Sequence, residues 1–462
     1  MRETLEREVK LRAGEAFELP ELGGEAIEPR LFVSTYHDTT EHRLAQHGVT
    51  LRHRIENGKG LWQLKLPRGI ARLELEAEGG PVAPPEPMLA LLPAYLRGRP
   101  LVPVARLRTR RSGVRAQGAE IVHDSVDVLD DQRVSRSFEE LEVELLEGDE
   151  KALRRIEKAL RGAGAGDGEQ RPKVFQALDL EYEREPVPAA PKDASAGEVL
   201  RAQLALQYDR LLTHDPGTRL GTDPEDLHQF RVATRRLRAF LRAGRELLDP
   251  EWAEPLREEL RWLGGALGPV RDLDVLIDHL AAEVASLGAD VRAGRRLLTL
   301  LERDRRAARK KLARALVSER YFRLLDLLER PALTVSEQAV AEGVTLEQIQ
   351  AAEHRNLRKA VRALTHESTD AELHEARIKT KRARYAAELA GDGAYVKSAK
   401  VLQDVLGEHQ DAIVAAERLR ELGARAPEAS LAAGRLLERE HQRAAERRTD
   451  WSRAWKKLAR AA

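Results

Sequence analysis

Glu6, Glu8 and Lys10 stand in an E-x-E-x-K spacing at the start of the chain. Strand side chains alternate between faces, so this spacing puts two carboxylates and an ammonium on one face and Leu5, Val9 and Leu11 on the other. Paired carboxylates at period two suit a hard divalent cation such as Mg²⁺, which takes oxygen ligands and leaves positions open for water and phosphate. A lysine beside them would meet the negative charge of a substrate. An exposed face of an antiparallel strand also reads polar at every second residue; repetition is what separates this chain from that ordinary pattern. Arg52 and Arg54 share a face in residues 50–55, and Lys65 lies in residues 62–66. Arg72, Glu74 and Glu76 alternate with Leu73 and Leu75, and Arg106, Arg108 and Arg110 with Leu107 and Thr109. Glu140, Glu142 and Glu144 alternate with Leu141, Val143 and Leu145. If such strands close into a barrel, their charged faces line its interior, the basic ones gripping a polyanion and the acidic ones holding metal.

A second set of basic residues follows a helical period and occurs twice. His228, Arg231, Arg235, Arg236 and Arg238 return at the same offsets as His374, Arg377, Lys381, Arg382 and Arg384. At roughly 100° per residue, His228, Arg231, Arg235, Arg238 and Arg242 fall on one helix face, opposite Phe230, Leu237, Phe240 and Leu241. Flanking echoes extend the duplication: residues 211–214 and 363–366 end in Thr213-His214 and Thr365-His366, and Leu267-Gly268 before Asp272 returns as Leu406-Gly407 before Asp411. Arg271 and Gln410 differ at equivalent places. In the second copy Ala376, Ala383, Ala386 and Ala387 replace larger residues and Lys379 intrudes, which predicts close helix approach. A charge run on a helix is ordinarily a solvated face balanced by acids at i,i+4. From His228 to Arg245 there are six arginines and no acidic residue, so like charges repel by a few tenths of a kcal/mol per pair until an anion arrives. Arginine forks match phosphate oxygens, and histidine adds a donor that strengthens on protonation.

The elements that must position these groups differ between the two parts of the chain. Strand patterning runs to about residue 185, with a Gly-rich stretch over 162–168. Prolines and small residues follow, and from Glu198 onward Ala, Leu, Arg and Glu predict helices. The expected organisation is an α+β domain over 1–185 built on an antiparallel β-barrel, a linker over 186–197, and an all-α domain of two duplicated helical bundles over 198–462. A chain of 462 residues is long enough for such cores. Its 78 basic and 77 acidic residues nearly cancel, so any polyanion site requires local segregation of charge. The absence of cysteine excludes disulfides, a thiol nucleophile and a Cys-based zinc site. His279, His354 and His441 lack a second ligand at i+4, so zinc is not expected there. Trp252, Trp262, Trp451 and Trp455 are expected to pack between helices. An aromatic content of 4% argues against a stacking platform for single-stranded nucleic acid, and no Walker loop is present. No apolar run of membrane-spanning length or signal-peptide pattern occurs, which predicts a cytoplasmic protein.

The run Tyr36-His37-Asp38-Thr39, with Leu44, Gly48 and Leu51-Arg52-His53-Arg54, resembles the CYTH domain of the triphosphate tunnel metalloenzymes. The E-x-E-x-K opening, residues 62–67, residues 138–144 and Lys173 are similar to the same family, and the resemblance covers about residues 1–185. It implies a tunnel that binds a triphosphate moiety with one or two divalent cations, Mg²⁺ or Mn²⁺, as in thiamine triphosphatases, inorganic triphosphatases and class IV adenylate cyclases. By this resemblance Glu6, Glu8, Glu142 and Glu144 bind metal, while Lys10, Arg52, Arg54, Lys65, Arg108, Arg110 and Lys173 bind phosphate. Asp124 falls at the family's acidic position before the last strands, with Asp127 as the alternative register. Glu74 or Glu76 would orient or deprotonate water, and Lys10 would meet charge developing on the substrate. Residues 198–462 resemble the CHAD domain, the conserved histidine α-helical domain, which binds inorganic polyphosphate. That likeness implies polyphosphate contacts from His228, Arg231, Arg235, Arg236, Arg238, Arg242, His374, Arg377, Lys381, Arg382 and Arg384. The expected function is a divalent-metal-dependent inorganic triphosphatase joined to a polyphosphate-binding domain, inorganic triphosphate being preferred because no pocket for a thiamine or adenine ring is visible. A non-catalytic polyphosphate scaffold is the alternative, followed by a nucleotide cyclase or organic triphosphatase. Polyphosphate granules are an expected partner and location; a membrane or a specific nucleic acid is not.

Overall fold

The computed structural model describes residues 1–14, 17–69, 71–180, 190–191, 193–329, 343–365 and 367–460. The chain divides into two compact units, Met1–Pro186 and Val187–Ala462. Residues 186–189 and Lys192 of the expected linker, and His366 of the flanking echo, lie outside the described residues.

Alternating apolar and charged residues in the first unit form ten antiparallel strands: β1 (Arg2–Glu6), β2 (Glu8–Arg12), β3 (Glu25–Asp38), β4 (Thr50–Glu56), β5 (Lys59–Arg68), β6 (Ala71–Glu78), β7 (Val102–Ala116), β8 (Ala119–Asp130), β9 (Arg133–Leu145) and β10 (Gly166–Asp167). Their order is β1-β6-β5-β4-β3-β7-β8-β9-β2-β10. β1 and β2 are separated by Arg7 alone; β1 pairs with β6 and β2 with β9, while the Arg7 carbonyl accepts from the Leu145 N–H at 2.9 Å. No β1–β2 ladder closes the sheet. One continuous segment instead pairs at both sides of it, so the sheet stays open at that point while the fold is compatible with the expected barrel.

Residues opposite each other on antiparallel neighbours share a face, so the register Tyr36↔Arg52, Lys65↔Glu74, Lys10↔Glu142, Glu8↔Glu144 and Arg111↔Asp124 traces a charged interior. The outer face is apolar where helices cover it. Leu11, Ile121, Leu141 and Val143 pack with Leu153, Ile156 and Leu160 of the helix Glu150–Gly162, whose first turn is held by the Asp149 carboxylate accepting from the Ala152 N–H at 3.0 Å. One tunnel end is filled by the helix Lys173–Leu178, where Val174 and Phe175 pack with Tyr36, Leu107, Val126 and Val128. The Asp38 carboxylate accepts backbone N–H bonds from Thr39, Leu44 and Ala45 at 2.6, 2.8 and 2.9 Å. That aspartate anchors the short helix Arg43–Gln46 to the end of the strand.

In the second unit the helices Ala196–Leu220, Pro224–Ala243 and Pro250–Ala285 have counterparts in Leu346–Arg362, Asp370–Leu389 and Gly393–Arg425. Sequence capping places their starts: Ser195 with Glu198, and Thr369 with Glu372, form reciprocal boxes. A Cβ at Gly217 would run into the Asp226 carboxylate, so the first two helices meet there only through glycine. One core gathers Leu357, Ala376, Ala383, Ala387, Tyr395, Leu402 and Trp451, with Trp455 against it. Another gathers Leu280, Leu297, Leu301, Leu419, Leu422 and Leu436. Ala376, Ala383, Ala386 and Ala387 are fully excluded from solvent, consistent with the close packing that small residues allow. Among the described residues no helix is long and apolar enough to cross a membrane.

Candidate functional site

Two sites follow, one in each unit. In the tunnel, Lys173 Nζ lies 2.6 Å from both Glu140 and Glu142 and 3.1 Å from Asp124. Arg111 reaches Asp124 at 2.6 Å and Glu142 at 2.9 Å. Lys10 Nζ is 3.5 Å from Glu140 and donates to the Arg171 carbonyl at 3.1 Å. A second group centres on Lys65, 2.5 Å from Glu6 and 3.7 Å from Glu74. The Gln63 amide donates to Glu74 at 3.1 Å and Glu76 at 2.8 Å, placing both expected water-orienting carboxylates inside. Arg52 donates to Gln63 Oε1 at 2.8 Å and the Tyr36 hydroxyl at 3.1 Å, both neutral partners. Arg54 pairs with Glu56 and lies over the Phe32 ring, 3.8 Å from its centroid.

Burial pushes the Glu142 carboxyl up, but Lys173, Lys10 and Arg111 outweigh it and hold it well below the usual carboxylate range. The same buried carboxylates hold the Lys173 ammonium well above its ordinary value against the pull of burial. Glu144 behaves oppositely: burial, with the negative charges of Glu6 and Glu74, pushes it up to about 7. Burial and then Arg52 bring the Arg54 guanidinium down to about 10. Carboxylate charge is therefore in excess around Glu144 and cationic charge around Arg54; burial pulls the Arg52 guanidinium down, but Tyr36 and Glu74 outweigh it and hold it above its ordinary value.

Glu6, Glu8, Glu142, Glu144 and Asp124 share the interior with Lys10, Arg52, Arg54, Lys65 and Lys173. Arg108 and Arg110 do not. Arg108 pairs with Asp127 at 2.8 Å on the outer face and Arg110 is exposed; Arg111 takes the interior position instead. The interior parity on β7 is Leu107, Thr109, Arg111, apolar toward the plugged end, so the rule that puts apolar residues outside a charged tunnel inverts on this strand. Asp124 and Asp127 are three residues apart and so face opposite sides, which leaves Asp124, fully buried, as the interior one. The usable signal for Arg111 was the consecutive pair Arg110-Arg111, one of which must point inward. Arg111→Ala is expected to lower triphosphate turnover at least tenfold and to destabilise the unit by roughly 1–3 kcal/mol, because Asp124 loses a buried partner. Arg110→Ala changes neither. Phosphate-release kinetics and thermal melts of the two variants check this.

In the helical unit the first basic face meets the second. Arg235 donates to the Tyr385 hydroxyl at 2.9 Å, and Tyr385 stands edge-on to Phe240. Arg231 pairs with Asp272 at 2.9 Å, and its counterpart Arg377 lies 3.7 Å from Asp411, so the duplicated motif makes corresponding ion pairs in both copies, the second looser. Burial, then Arg377, Arg235 and Arg231, bring the Lys381 ammonium down to about 8, which shows four basic groups from both copies converging. The copies differ at the histidines: His374 Nδ1 sits 2.9 Å from Gln410 Oε1, whereas burial and then Arg271 lower the His228 imidazole. Acid partners that the arginine run lacks come from distant sequence. Arg236 meets Glu388 at 3.2 Å, and Arg384, only 9% exposed, is held by Glu388 at 2.5 Å and Gln403 at 3.0 Å. Arg384 therefore faces the interior rather than the basic surface. Burial and neighbouring cations lower Arg238, Arg242 and Lys381 in spite of one carboxylate near each, Glu258, Glu353 and Asp411.

The Lys381 environment predicts a pH dependence. Its pKa is lowered to about 8 and a bound polyanion would restore its charge, so binding takes up a proton above pH 8. Affinity should be flat below that pH and fall above it, by at most about tenfold per unit. Titration calorimetry across pH 7–10 checks this, and Lys381→Arg should flatten the profile.

The CYTH domain family model matches residues 4–171, and the CHAD domain model residues 202–420. Two uncharacterized proteins of Mycobacterium tuberculosis are each 32% identical over 428 residues, 84% of this chain and 81% of theirs. Among solved structures, PptA from Streptomyces chartreusis shares 24% identity with a TM-score of 0.50, covering 57% of this chain and all of that one. The CHAD domain from the plant Ricinus communis shares 29% identity with a TM-score of 0.49, covering 60% of this chain and 96% of that one.

Proposed function

The chain belongs to the family that joins a CYTH domain to a CHAD domain, and on that premise we propose that it is a divalent-metal-dependent inorganic triphosphatase whose helical unit binds inorganic polyphosphate. The observation that carries the reading is the segregation of charge within one enclosed face. Arg52 makes its hydrogen bonds to neutral partners and keeps its charge with the help of Glu74, while carboxylates crowd around Glu144. The donor set fits Mg²⁺ or Mn²⁺ in kind: Glu8 and Glu144 are cross-strand partners, and Glu6 adds its negative charge at Glu144. Among the described residues no three such groups already stand together as a ready-made cage; Lys65 and Lys173 draw several of the carboxylates to themselves. When bound, the metal would neutralise phosphate charge and polarise the reacting phosphorus.

The chain's own residues supply the rest. Arg52, Arg54, Arg111, Lys10 and Lys65 hold the three phosphates and stabilise charge that grows in the transition state. Glu74 or Glu76 accepts the proton of the attacking water. The water oxygen forms the new bond to the terminal phosphorus, the bridging P–O bond breaks, and diphosphate leaves with the released electron pair. The converging basic faces of the helical unit offer Arg231, Arg235, Arg377 and Lys381 to a long linear polyanion.

Phosphate release by the full chain from tripolyphosphate, ATP and long-chain polyphosphate, with Mg²⁺, with Mn²⁺ and with a chelator, tests the reading. Metal-dependent cleavage of tripolyphosphate is expected. Cyclic nucleotide from ATP would instead identify a cyclase, and binding without turnover of any substrate a scaffold.

A further inference from the structure

β3 turns Phe32, Ser34 and Tyr36 to the tunnel interior, where they stand opposite Glu56, Arg54 and Arg52 of β4. Two of the three serve a guanidinium. The Tyr36 hydroxyl accepts from Arg52 at 3.1 Å. Arg54 lies over the Phe32 ring, 3.8 Å from its centroid, with Arg111 of β7 at 5.8 Å from the same ring. Ser34 is the exception. It is only 2% exposed, and its hydroxyl has no hydrogen-bond partner among the described residues. The arginines nearest in register make their contacts elsewhere, Arg52 with Tyr36 and Gln63, Arg54 with Phe32 and Glu56. A buried hydroxyl left unpaired carries the full cost of its lost hydration. Alanine, one oxygen smaller, would fill the same place in the wall without that cost.

We propose that Ser34 is a substrate-binding residue of the tunnel, its hydroxyl donating to a non-bridging oxygen of the phosphate that Arg52 and Arg54 hold. The inference rests on the triphosphatase reading above and adds a residue to its site. Ser34 stands directly across from Arg54, and Tyr36, two residues on, directly across from Arg52. An anion bridging the two guanidiniums therefore lies against the part of β3 that carries the hydroxyl. The two kinds of donor complement each other: arginine reaches in on a long side chain with a fixed fork, whereas serine is short and turns its O–H to suit the acceptor. A bond from the hydroxyl to an ionised phosphate oxygen is charge-assisted and stronger than one to a neutral acceptor. The donor has also been stripped of water before substrate arrives, so the bond it forms on binding is not offset by fresh desolvation.

The test compares the full chain carrying Ser34→Ala with wild type in calorimetric titration of tripolyphosphate, in metal-dependent phosphate release and in thermal melts without ligand. Affinity and kcat/KM should each fall about tenfold or more, as expected for one hydrogen bond to a charged group. The melting temperature should hold or rise by up to about 4 °C, because an orphaned donor has gone. This combination is diagnostic, since a residue that merely packs the wall would weaken binding only by weakening the fold. A melting temperature that falls along with the affinity gives Ser34 a structural role and overturns the proposal. An unchanged affinity overturns it as well. Wild-type protein that binds tripolyphosphate without cleaving it overturns the triphosphatase reading alone, because the affinity comparison still decides Ser34. Wild-type protein that binds none overturns both.

Discussion

Replacing Glu6 and Glu8 together by glutamine is expected to reduce metal-dependent triphosphate hydrolysis by about 10³-fold or more with the fold retained. Metal ions contribute several kcal/mol of transition-state charge stabilisation, and each 1.4 kcal/mol is a factor of ten. Removing two anionic ligands removes most of that contribution. Glutamine keeps the shape and one acceptor oxygen of each side chain. Lys65 loses its 2.5 Å partner at Glu6 but keeps Glu74 at 3.7 Å, so the ammonium is not left alone in the tunnel. Calorimetric titration of Mn²⁺ should show weakened binding, and circular dichroism an unchanged fold. Wild-type turnover in the double variant would take these carboxylates out of catalysis; a variant that fails to fold would give them a structural role instead.

The second large effect lies in the helical unit. Changing Arg231, Arg235, Arg377 and Lys381 to alanine should weaken binding of long polyphosphate at least 100-fold. It should also flatten the salt dependence: each cation on a linear polyanion contributes about 0.7 to the log–log slope, so four contribute about 3. The fold should hold. The ion pairs lost, Arg231–Asp272 and Arg377–Asp411, involve aspartates that are mostly exposed and stabilise by about 0–1 kcal/mol each, and the buried Tyr385 hydroxyl gives up its bond from Arg235 at a cost of about 1–3 kcal/mol. Removal of mutual repulsion around Lys381 offsets part of that. Duplex DNA of equal charge should compete poorly with polyphosphate for the wild-type protein, since nothing on this face is shaped for a groove. Undiminished binding by the quadruple variant would move the site off these helices, and equal affinity for DNA would make this a general polyanion binder.

The parts of both sites legible in the sequence are those that a single period governs. Glu6, Glu8 and Lys10 reach the interior because strands alternate, and the motif of Arg231 and Arg377 recurs because a helix repeats its face. What the period could not settle was which parity faces inward where the interior itself turns apolar. Near the plugged end Tyr36, Leu107 and Val126 line the tunnel, and the strand that carries Leu107 therefore misdirected the reading to Arg108 and Arg110. Partners from distant sequence were equally hidden: Glu388 neutralises Arg236 and Arg384 only because two helices meet. The Tyr36-Asp38 pattern was visible, but that Asp38 binds backbone rather than substrate needed the three N–H contacts.

The segment through Arg7 has a consequence for how the first unit comes together. Its first half pairs with residues 72–76 and its second with residues 141–144, so both ladders carry a larger loop-closure cost than the local hairpins. The same segment carries Glu6, Glu8 and Lys10. Pairing both halves of this segment and bringing the acidic groups together are thus one event, and an anion–metal pair that binds only the folded form would stabilise that pairing by mass action.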